Sequence, residues 1–458
     1  MGSRDVRVSE AAISVPPIWA RFSRDRRGAV AVAVAMLLPI LIGFAGIGIE
    51  VGLWFAIQRQ NQSAADAAAI SAALEYAAQI QRGVPTDPAA ATAAATTAAN
   101  CNLFSTSSSS SNSVCPLPSS ASNTITLYTP SSNGAQPNAV QVVLTQPLNT
   151  TFANIVTAIW GPSVNTVNVT TTAIASFPVS GPACYLALDK SAPNAFLVDN
   201  NGALLNPNCW VASNSSSASA LNCNTNCVIA APTTVVGGHA VSNDSHLNGS
   251  PNRTYASAIA DPYASVAIDN AGPCTSNTTL TTGSLNPISF GHYCGGIQIA
   301  DGSTLRMGPG VYYIDKVFNI SNGSTLNAQG GVTIIINGPP YCIGDDPTCQ
   351  AGHGIGENST LYMTAPTTGR FAGIAIFGPG GNPTMIQEFA NNSRNNIQGA
   401  IYFPSQTIQF DPNSQLNSAL CTQIIGDKIH IENVANMSNG CGGTGITSIP
   451  ILEVYLTL

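Results

Sequence analysis

The feature that most constrains this chain is an uncharged stretch near its amino terminus, residues 28–49 (GAVAVAVAMLLPILIGFAGIGI). As a helix, these 22 residues would reach about 33 Å, and the hydrocarbon core of a bilayer is ~30 Å thick. Residues beyond position 58 are mostly polar and rich in Ser, Asn, Thr and Gly. The pattern predicts one membrane-spanning helix, with most of the chain on one side of the membrane.

The charges that flank this stretch predict its orientation. Residues 1–27, which we predict to be a cytoplasmic basic tail, contain six arginines, whereas Arg59 is the nearest cation on the other side. Lys and Arg next to spanning helices are retained in the cytoplasm. We therefore expect the amino terminus inside and the bulk of the chain exported. A cleaved signal peptide is the alternative, although its apolar core usually has ~7–15 residues.

Five residues of the predicted anchor are candidates for helix contacts. Gly28 begins the stretch, and Pro39 lies in its middle, where lipid-embedded helices tolerate proline and kink. Gly48 and Gly52 have the small-xxx-small spacing that lets a second helix approach, although glycine is common in spanning helices in any case. Glu50 is an acid in an apolar run, and it would pair with a partner's cation or mark the headgroup boundary.

Alanine-rich sequence follows and predicts that the helix continues as a stalk, which gives a transmembrane and stalk region over residues 28–84. Residues 85–178 predict a small α+β unit. Its expected elements are a helix from Asp87 to about Asn100, strands at 124–128, 139–145 and 166–177, and a short helix at 152–160.

All twelve cysteines lie beyond the apolar stretch: Cys101, Cys115, Cys184, Cys209, Cys223, Cys227, Cys274, Cys294, Cys342, Cys349, Cys421 and Cys441. An even number in an exported region indicates disulfides formed in an oxidising compartment. Close spacing favours the local pairs Cys101–Cys115, Cys274–Cys294, Cys342–Cys349 and Cys421–Cys441, but spacing leaves the pairing open. Metal binding is the alternative, because Cys223 and Cys227 have finger-like spacing. No second pair follows at zinc-finger distance, so we expect no metal.

A seven-residue phrase recurs from Cys184 onward, with an apolar residue at each end and a polar turn between. The copies span residues 198–204, 241–247, 299–305, 320–326, 355–361 and 410–416. Two degenerate copies span residues 221–227 and 431–437. Several copies begin 20–23 residues after the one before, which is about the length of one solenoid coil. Asn, Asp and Gly suit the turn, and the apolar ends would stack inward on neighbouring copies. We predict a disulfide-bonded parallel β-solenoid (β-helix) over residues 179–458. A jelly roll or sandwich is the rival fold, because hairpins also use Asn-Gly turns.

Composition and motifs give little support for chemistry. Charged residues make up 8% of the chain without a basic stripe, so we predict no nucleic-acid partner. Acids in or beside the repeat turns are ordinary turn residues, whereas a cluster of them would suit a carbohydrate-active enzyme. These acids are Asp301, Glu357, Asp411 and Glu432, and the five scattered histidines are His239, His246, His292, His353 and His430. We expect no catalytic residue and no cofactor.

The amino-terminal features together resemble the TadE/TadG-like proteins of Flp (Tad) pilus assembly. The resemblance covers about 50 residues and is carried by the Arg-Gly entry, Pro39, Glu50, Trp54 and the Ala-Asp-Ala-Ala-Ala run within residues 62–69. The family usually has Asp where this chain has Glu50. Members that are processed carry Glu five residues after the cleavage glycine, and this chain has Ala33 there. The resemblance is therefore to the unprocessed, TadG-like branch, and it implies a permanent anchor.

The resemblance implies a non-enzymatic protein of the bacterial inner membrane that assists assembly or anchoring of a Flp/Tad-type pilus, with a periplasmic or extracellular β-rich domain. Its expected partners are pilus-assembly proteins, and a cell-wall or surface polysaccharide is a further expectation. Many TadG-like proteins carry a von Willebrand factor A domain with an Asp-x-Ser-x-Ser metal site. Asp189-Lys-Ser191-Ala-Pro193 is the nearest phrase, and Pro193 replaces its second serine. The alternative is a membrane-tethered carbohydrate-active β-helix enzyme or a carbohydrate-binding adhesin.

Overall fold

The computed structural model describes residues 26–81, 84–104, 123–128, 138–150, 166–204, 209–242, 244–282, 287–336, 354–380, 386–417, 420–432 and 445–457. The chain divides into two compact units. The first comprises Met1–Ala73, Pro88–Ser176 and Leu456–Leu458, and the second comprises Leu74–Asp87 and Phe177–Tyr455. The predicted helix at 152–160 and most of the basic tail lie outside the described residues.

Two helices and a long series of strands make up the described residues. Helix α1 is Arg26–Gln81 and helix α2 is Pro88–Cys101. The strands are β1 Thr124–Tyr128, β2 Ala139–Asn149, β3 Thr166–Ser176, β4 Val179–Ala187, β5 Phe196–Asp199, β6 Ala203–Leu204, β7 Trp210–Ser213, β8 Leu221–Cys223, β9 Val228–Ile229, β10 Thr233–Val235, β11 His239–Val241, β12 His246–Leu247, β13 Asn252–Arg253, β14 Cys274–Ser276, β15 Leu280–Thr282, β16 Gly291–Tyr293, β17 Gly296–Ile299, β18 Thr304–Arg306, β19 Gly310–Ile314, β20 Val317–Ile320, β21 Thr325–Ala328, β22 Val332–Ile336, β23 Gly354–Ile355, β24 Thr360–Thr364, β25 Ile374–Phe377, β26 Ile386–Phe389, β27 Arg394–Phe410, β28 Gln415–Leu416, β29 Thr422–Glu432, β30 Pro450–Leu452 and β31 Tyr455–Thr457.

The long amino-terminal helix is confirmed. Among the described residues, α1 is the one helix long and apolar enough to cross a membrane. It runs through Pro39 without ending there. Large apolar side chains of its first half are exposed, for example Val30 at 65%, Met36 at 70% and Phe44 at 71%. Apolar surface of this extent is what a lipid-facing helix presents.

The alanine-rich part of α1 up to Ala73 packs within the first unit. Its alanines at positions 64, 65, 68, 69, 72 and 73 are fully buried, because small side chains allow close approach of neighbouring backbone. Strands β1, β2 and β3 form an antiparallel sheet, and β31 extends it beside β3. The Asn61 amide donates to the Gln146 side-chain oxygen (2.9 Å), and the Gln62 amide donates to the Thr172 carbonyl (3.1 Å). These bonds fix α1 against the sheet.

The second unit is built mainly from parallel strands, with β30 antiparallel to β4. One ladder runs in the spatial order β13-β10-β7-β4-β29-β27-β25-β22-β19-β16-β14. A second ladder runs in the order β11-β8-β5-β29-β27-β26-β23-β20-β17-β15. Shorter parallel ladders join β18-β21-β24-β27-β28 and β6-β9-β12. The chain is therefore mainly β with parallel sheets, as predicted.

The order of the strands differs from the order expected of successive repeats. The first strands, β4 and β5, pair with β29, the last long strand, rather than standing at an end of the ladders. The chain runs away from this point as far as β13, and it resumes at the opposite end with β14. We call the pairing of β29 with β4 and β5 the seam.

The seven-residue phrase has a consistent role in the ladders. Its first and last residues are buried in the main core in five of the six copies, the exception being 241–247, where Val241 is 43% exposed. In those five copies the fourth residue has positive φ: Asn201 (66°), Gly302 (64°), Gly323 (71°), Asn358 (57°) and Asn413 (61°). Only residues that tolerate the left-handed region fit there. A further copy, residues 389–395, has Asn392 at that position (φ 59°) and Asn395 where the others have an apolar end.

A second apolar cluster covers the outer side of the first ladder. Residues between β13 and β14 cross it, and Ile259 and Tyr263 are buried there. The Asn214 side chain donates to the Ile259 carbonyl (2.7 Å) and accepts from its amide (2.8 Å), while the Tyr263 hydroxyl donates to the Gln423 side-chain oxygen (3.2 Å). This crossing returns the chain from one end of the ladder to the other.

Disulfides are present, as predicted. Cys184 pairs with Cys209, Cys223 with Cys227, and Cys274 with Cys294. Spacing favoured the Cys274–Cys294 pair. Cys223 and Cys227, the two residues of the metal alternative, are bonded to each other. Cys101 and Cys421 are disulfide-bonded. Cys115, Cys342, Cys349 and Cys441 lie outside the described residues.

Burial of the phrase ends predicts a difference between two truncations. Leu326 ends one phrase and is fully buried, whereas Val241 begins another and is 43% exposed. Leu326→Ala leaves a cavity and should lower the free energy of unfolding by about 2–5 kcal/mol, whereas Val241→Ala should lower it by less than about 1 kcal/mol. Denaturant unfolding of the full-length protein in detergent measures both. Equal midpoints would contradict the stacking of phrase ends in the core.

Candidate functional site

Two faces of α1 differ in what covers them. Glu50, Trp54 and Ile57 follow helical spacing, and with Leu148 and Asn149 they border a cleft of about 230 Å³ within the first unit. Glu50 is only 7% exposed, so its carboxylate is buried by its own chain. The two interpretations of Glu50 from the sequence, a partner's cation or the headgroup boundary, did not include this burial.

The opposite face of α1 carries Gly48 and Gly52, two positions that share a face because they are four residues apart. A Cβ atom added at either glycine would meet nothing within 4 Å. The face is therefore open to another helix or to lipid. Gly28 lies in the first turn of α1, ahead of the residues whose side chains the structure describes.

A group of candidate functional side chains lies at the seam, on the side of the sheet that faces away from the main core. His430 and Glu432 alternate along β29 with Ile429 and Ile431, both of which are fully buried. Register pairs Glu432 with Asp199 on β5 and His430 with Gln409 on β27. Asp411 follows β27 directly. We call Asp199, Gln409, Asp411, His430 and Glu432 the seam cluster.

Contacts within the seam cluster are close. His430 Nε2 lies 3.0 Å from Asp199 Oδ1 and 3.5 Å from Glu432 Oε1. His430 Nδ1 lies 3.2 Å from Gln409 Oε1, and the Gln409 amide nitrogen donates to Asp411 Oδ1 at 2.9 Å. The side chains of His430, Asp199 and Glu432 are 20%, 17% and 15% exposed, so solvent reaches them.

The pKa of Glu432 reflects this environment. Burial raises it above its ordinary value, and the negative charges of Asp199 and Asp411 raise it further, against the lowering effects of His430 and of a hydrogen bond with Asn200. Three carboxylates therefore share a small, partly dehydrated space. Ligand atoms of Asp199, His430 and Glu432 all lie within 4.8 Å of one another, a geometry that could hold a metal ion.

The structure brings together only two of the four turn acids that the sequence offered as candidates. Asp411 and Glu432 join the seam cluster, whereas Asp301 and Glu357 lie exposed in separate turns. Asp189 Oδ1 accepts from the amides of Ser191 and Ala192 (both 2.7 Å), so its carboxylate caps a turn.

His239, His292 and His430 have side-chain partners that sequence spacing did not reveal, and His353 lies outside the described residues. His239 Nε2 lies 3.1 Å from Thr233 Oγ1. His430 belongs to the seam cluster, and the Nε2 of His292 lies 2.6 Å from Asp315 Oδ2 and 3.3 Å from the Cys294 sulfur. The sulfurs of Cys274 and Cys294 are bonded to each other, so they are not free thiolate ligands. Metal binding there would require reduction first.

Comparison with known families decides the character of the amino-terminal segment. Residues 28–78 match the family described as "Tad: Putative Flp pilus-assembly TadE/G-like". This segment is TadE/G-like. The match ends within α1, so it covers the candidate membrane-spanning part of this helix and most of its alanine-rich part. No curated protein and no solved structure matches the chain. The character of the second unit therefore rests on its own residues.

A second carboxylate pair at the seam predicts a pH dependence. The Asp189 amide donates to the Asp427 carbonyl (2.9 Å), and the pKa of Asp427 is raised by burial and by the charge of Asp189, against the lowering effect of Lys428. The folded protein therefore holds this proton to higher pH than the unfolded chain, and stability falls as pH rises through the folded-state pKa.

Asp427→Asn removes that ionisation, so the variant should unfold at a higher temperature than the wild type at pH 8. The difference should shrink as pH falls below the pKa of an unfolded aspartate, ~4. Thermal unfolding at several pH values measures it. A variant less stable than the wild type at pH 8 would contradict the assignment.

Proposed function

We propose that this chain is a non-enzymatic, single-pass protein of the bacterial inner membrane that assists assembly or anchoring of a Flp-type pilus. Its amino terminus is cytoplasmic and its β-rich unit is exported. The observation that carries this proposal is the TadE/G-like match over residues 28–78, which falls on a helix whose first half is exposed and apolar.

The division of α1 into two parts supports an anchoring role. Residues up to about 45 present large apolar side chains, as lipid contact requires, whereas the alanine-rich part is buried against a sheet. A helix that continues unbroken from one environment to the other couples the membrane segment rigidly to the first unit. Ala33 at the position of the processing glutamate supports a permanent anchor.

We further propose that the parallel ladders of the second unit form the coils of a β-solenoid. The support is the shared register of three sets of strands, the buried ends of the phrase, and the positive-φ residue at its fourth position. Stacked coils expose long, regular side faces, which suit binding to pilus or envelope partners. Disulfides among the coils fit an oxidising compartment.

The seam cluster bears on the alternative, a membrane-tethered carbohydrate-active enzyme. Oxygen atoms of Asp199 and Glu432 lie within 4.8 Å of each other, and both face one histidine nitrogen. Two carboxylates that share one imidazole nitrogen form an arrangement suited to holding a cation, and this supports a binding role for the seam cluster.

A helix exchange tests the proposal. Residues 28–57 are replaced by an unrelated spanning helix of equal length, and the chain is returned to a strain that lacks it. If the TadE/G-like helix acts in pilus assembly, the deletion should remove most Flp-type pili seen by electron microscopy. Full-length chain should restore them, and the exchanged chain should not.

The control is the amount of exchanged chain in the inner membrane fraction, which should equal that of the wild type. Normal piliation of the deletion strain would refute a role in pilus assembly. If the exchanged chain fully restored the pili, the helix would act only as a membrane tether, and its TadE/G-like sequence would not be needed for pilus assembly.

A further inference from the structure

The acids of the seam cluster occupy equivalent places on three stacked strands. Asp411, Glu432 and Asp199 each follow the apolar residue that begins a phrase, and those three phrases are neighbours in the second ladder. Other copies have Ala300, Ser321 or Gly356 at this position. Like charges on adjacent strands, ~4.8 Å apart, destabilise a sheet unless a positive charge lies among them.

The hydrogen bonds around His430 leave a lone pair directed at two of these acids. The Gln409 amide nitrogen donates to Asp411, which turns the Gln409 side-chain oxygen toward His430. An oxygen can only accept, so His430 Nδ1 carries the proton of that bond. In the neutral ring, Nε2 then presents its lone pair to carboxylate oxygens of Asp199 and Glu432. With the neutral ring three acceptor atoms face one another, so a cation must lie between them, either a proton on Nε2 or a metal ion.

This arrangement is the one that metal-binding histidines adopt. Their second ring nitrogen donates to an amide or carboxylate oxygen, which fixes the tautomer and turns the other nitrogen toward the metal. Metal–nitrogen and metal–oxygen bonds of ~2.0–2.2 Å place neighbouring ligand atoms roughly 2.9–3.6 Å apart. The distances from His430 Nε2, 3.0 and 3.5 Å, lie in that range.

We propose that Asp199, His430 and Glu432 form a binding site for a divalent transition-metal ion of the Zn²⁺ class. One imidazole nitrogen with two carboxylates suits such an ion, whereas Ca²⁺ and Mg²⁺ prefer oxygen ligands throughout. Gln409 and Asp411 are positioning residues that orient His430. The three ligands are partly exposed, so the ion can enter and water completes its coordination.

The site would clamp the seam. Glu432 and His430 belong to β29, the last long strand, and Asp199 belongs to β5, near the start of the second unit's strands. Asp199 and His430 are 231 residues apart in the chain. A bound ion therefore joins the two ends of this region directly, and it offsets the repulsion among the stacked acids.

Metal titration of the full-length protein in detergent, under non-reducing conditions, tests the site. The protein is stripped with EDTA and titrated with ZnCl₂, with calorimetry for binding and the thermal unfolding midpoint for stability. Wild type should bind one Zn²⁺ at the site and unfold at a higher temperature when loaded. His430→Gln and Glu432→Gln should each weaken binding at least about tenfold and remove the thermal shift. Gln409→Leu should weaken binding while leaving all three ligands in place.

Matched controls come from other strands and turns of the second unit. His246→Gln and Glu357→Gln change an exposed histidine and an exposed turn acid, and both should bind as wild type does. His292→Gln should also bind normally, because its neighbouring sulfurs are paired. If His430→Gln does not fold, Glu432→Gln carries the test, since it removes charge at nearly constant volume. Absence of zinc binding, or a thermal shift that survives both ligand substitutions, would overturn the proposal.

Discussion

The parallel register at β29 is the constraint on which the second unit depends. This strand pairs with β27 on one side and with β4 and β5 on the other, so it closes two runs of strands into common ladders. Without it, each run would present an unpaired edge of backbone donors and acceptors, which invites association with other chains. The core residues Ile424, Ile429 and Ile431 continue the buried rows across this point. The seam therefore joins the two runs of strands, and the residues that pair there are farther apart in sequence than those of any other parallel pair in the ladders.

Closure at the seam imposes a return path on the rest of the chain. The strands run outward from β4 to β13, and the next strand, β14, lies at the far end of the other run. The connecting segment therefore crosses the outer face of the first ladder, where it buries Ile259 and Tyr263. The polar contacts of Asn214 and Gln423 fix the crossing at both residues. A second apolar cluster follows from the topology rather than from the repeat.

Much of the fold could be predicted from local sequence signals. The useful signals all lie within short windows: an uncharged run long enough to span a bilayer, the spacing of the alanines, and a phrase with apolar ends. They are enough to predict α1, α2 and the turns. The copy at 389–395 was missed because Asn395 ends it instead of an apolar residue. Pairing of Cys184 with Cys209 was not among the pairs that spacing favoured, because no sequence signal connects two cysteines 25 residues apart.

The seam cluster could not be predicted from the sequence, for a different reason. The periodicity of the phrases implies stacking of successive copies, and it carries no sign that the first copy lies beside the last. From the sequence alone, Glu432 and Asp411 are therefore interpreted as turn acids and His430 as an isolated histidine. Only the strand pairing of the structure places Asp199 beside them. One signal was available: acids occur at the second phrase position only in copies that meet at the seam.

Chemical cross-linking measures the seam most directly, because the chain has only three lysines, Lys190, Lys316 and Lys428. Lys190 and Lys428 follow the two residues joined by the Asp189–Asp427 backbone hydrogen bond of 2.9 Å. Lys316 follows β19, four ladder steps from β29, or about 19 Å away. A short amine-reactive cross-linker on the full-length protein should give Lys190–Lys428 as the main cross-linked peptide pair by mass spectrometry. Absence of that pair, with Lys190 linked to Lys316 instead, would contradict the seam.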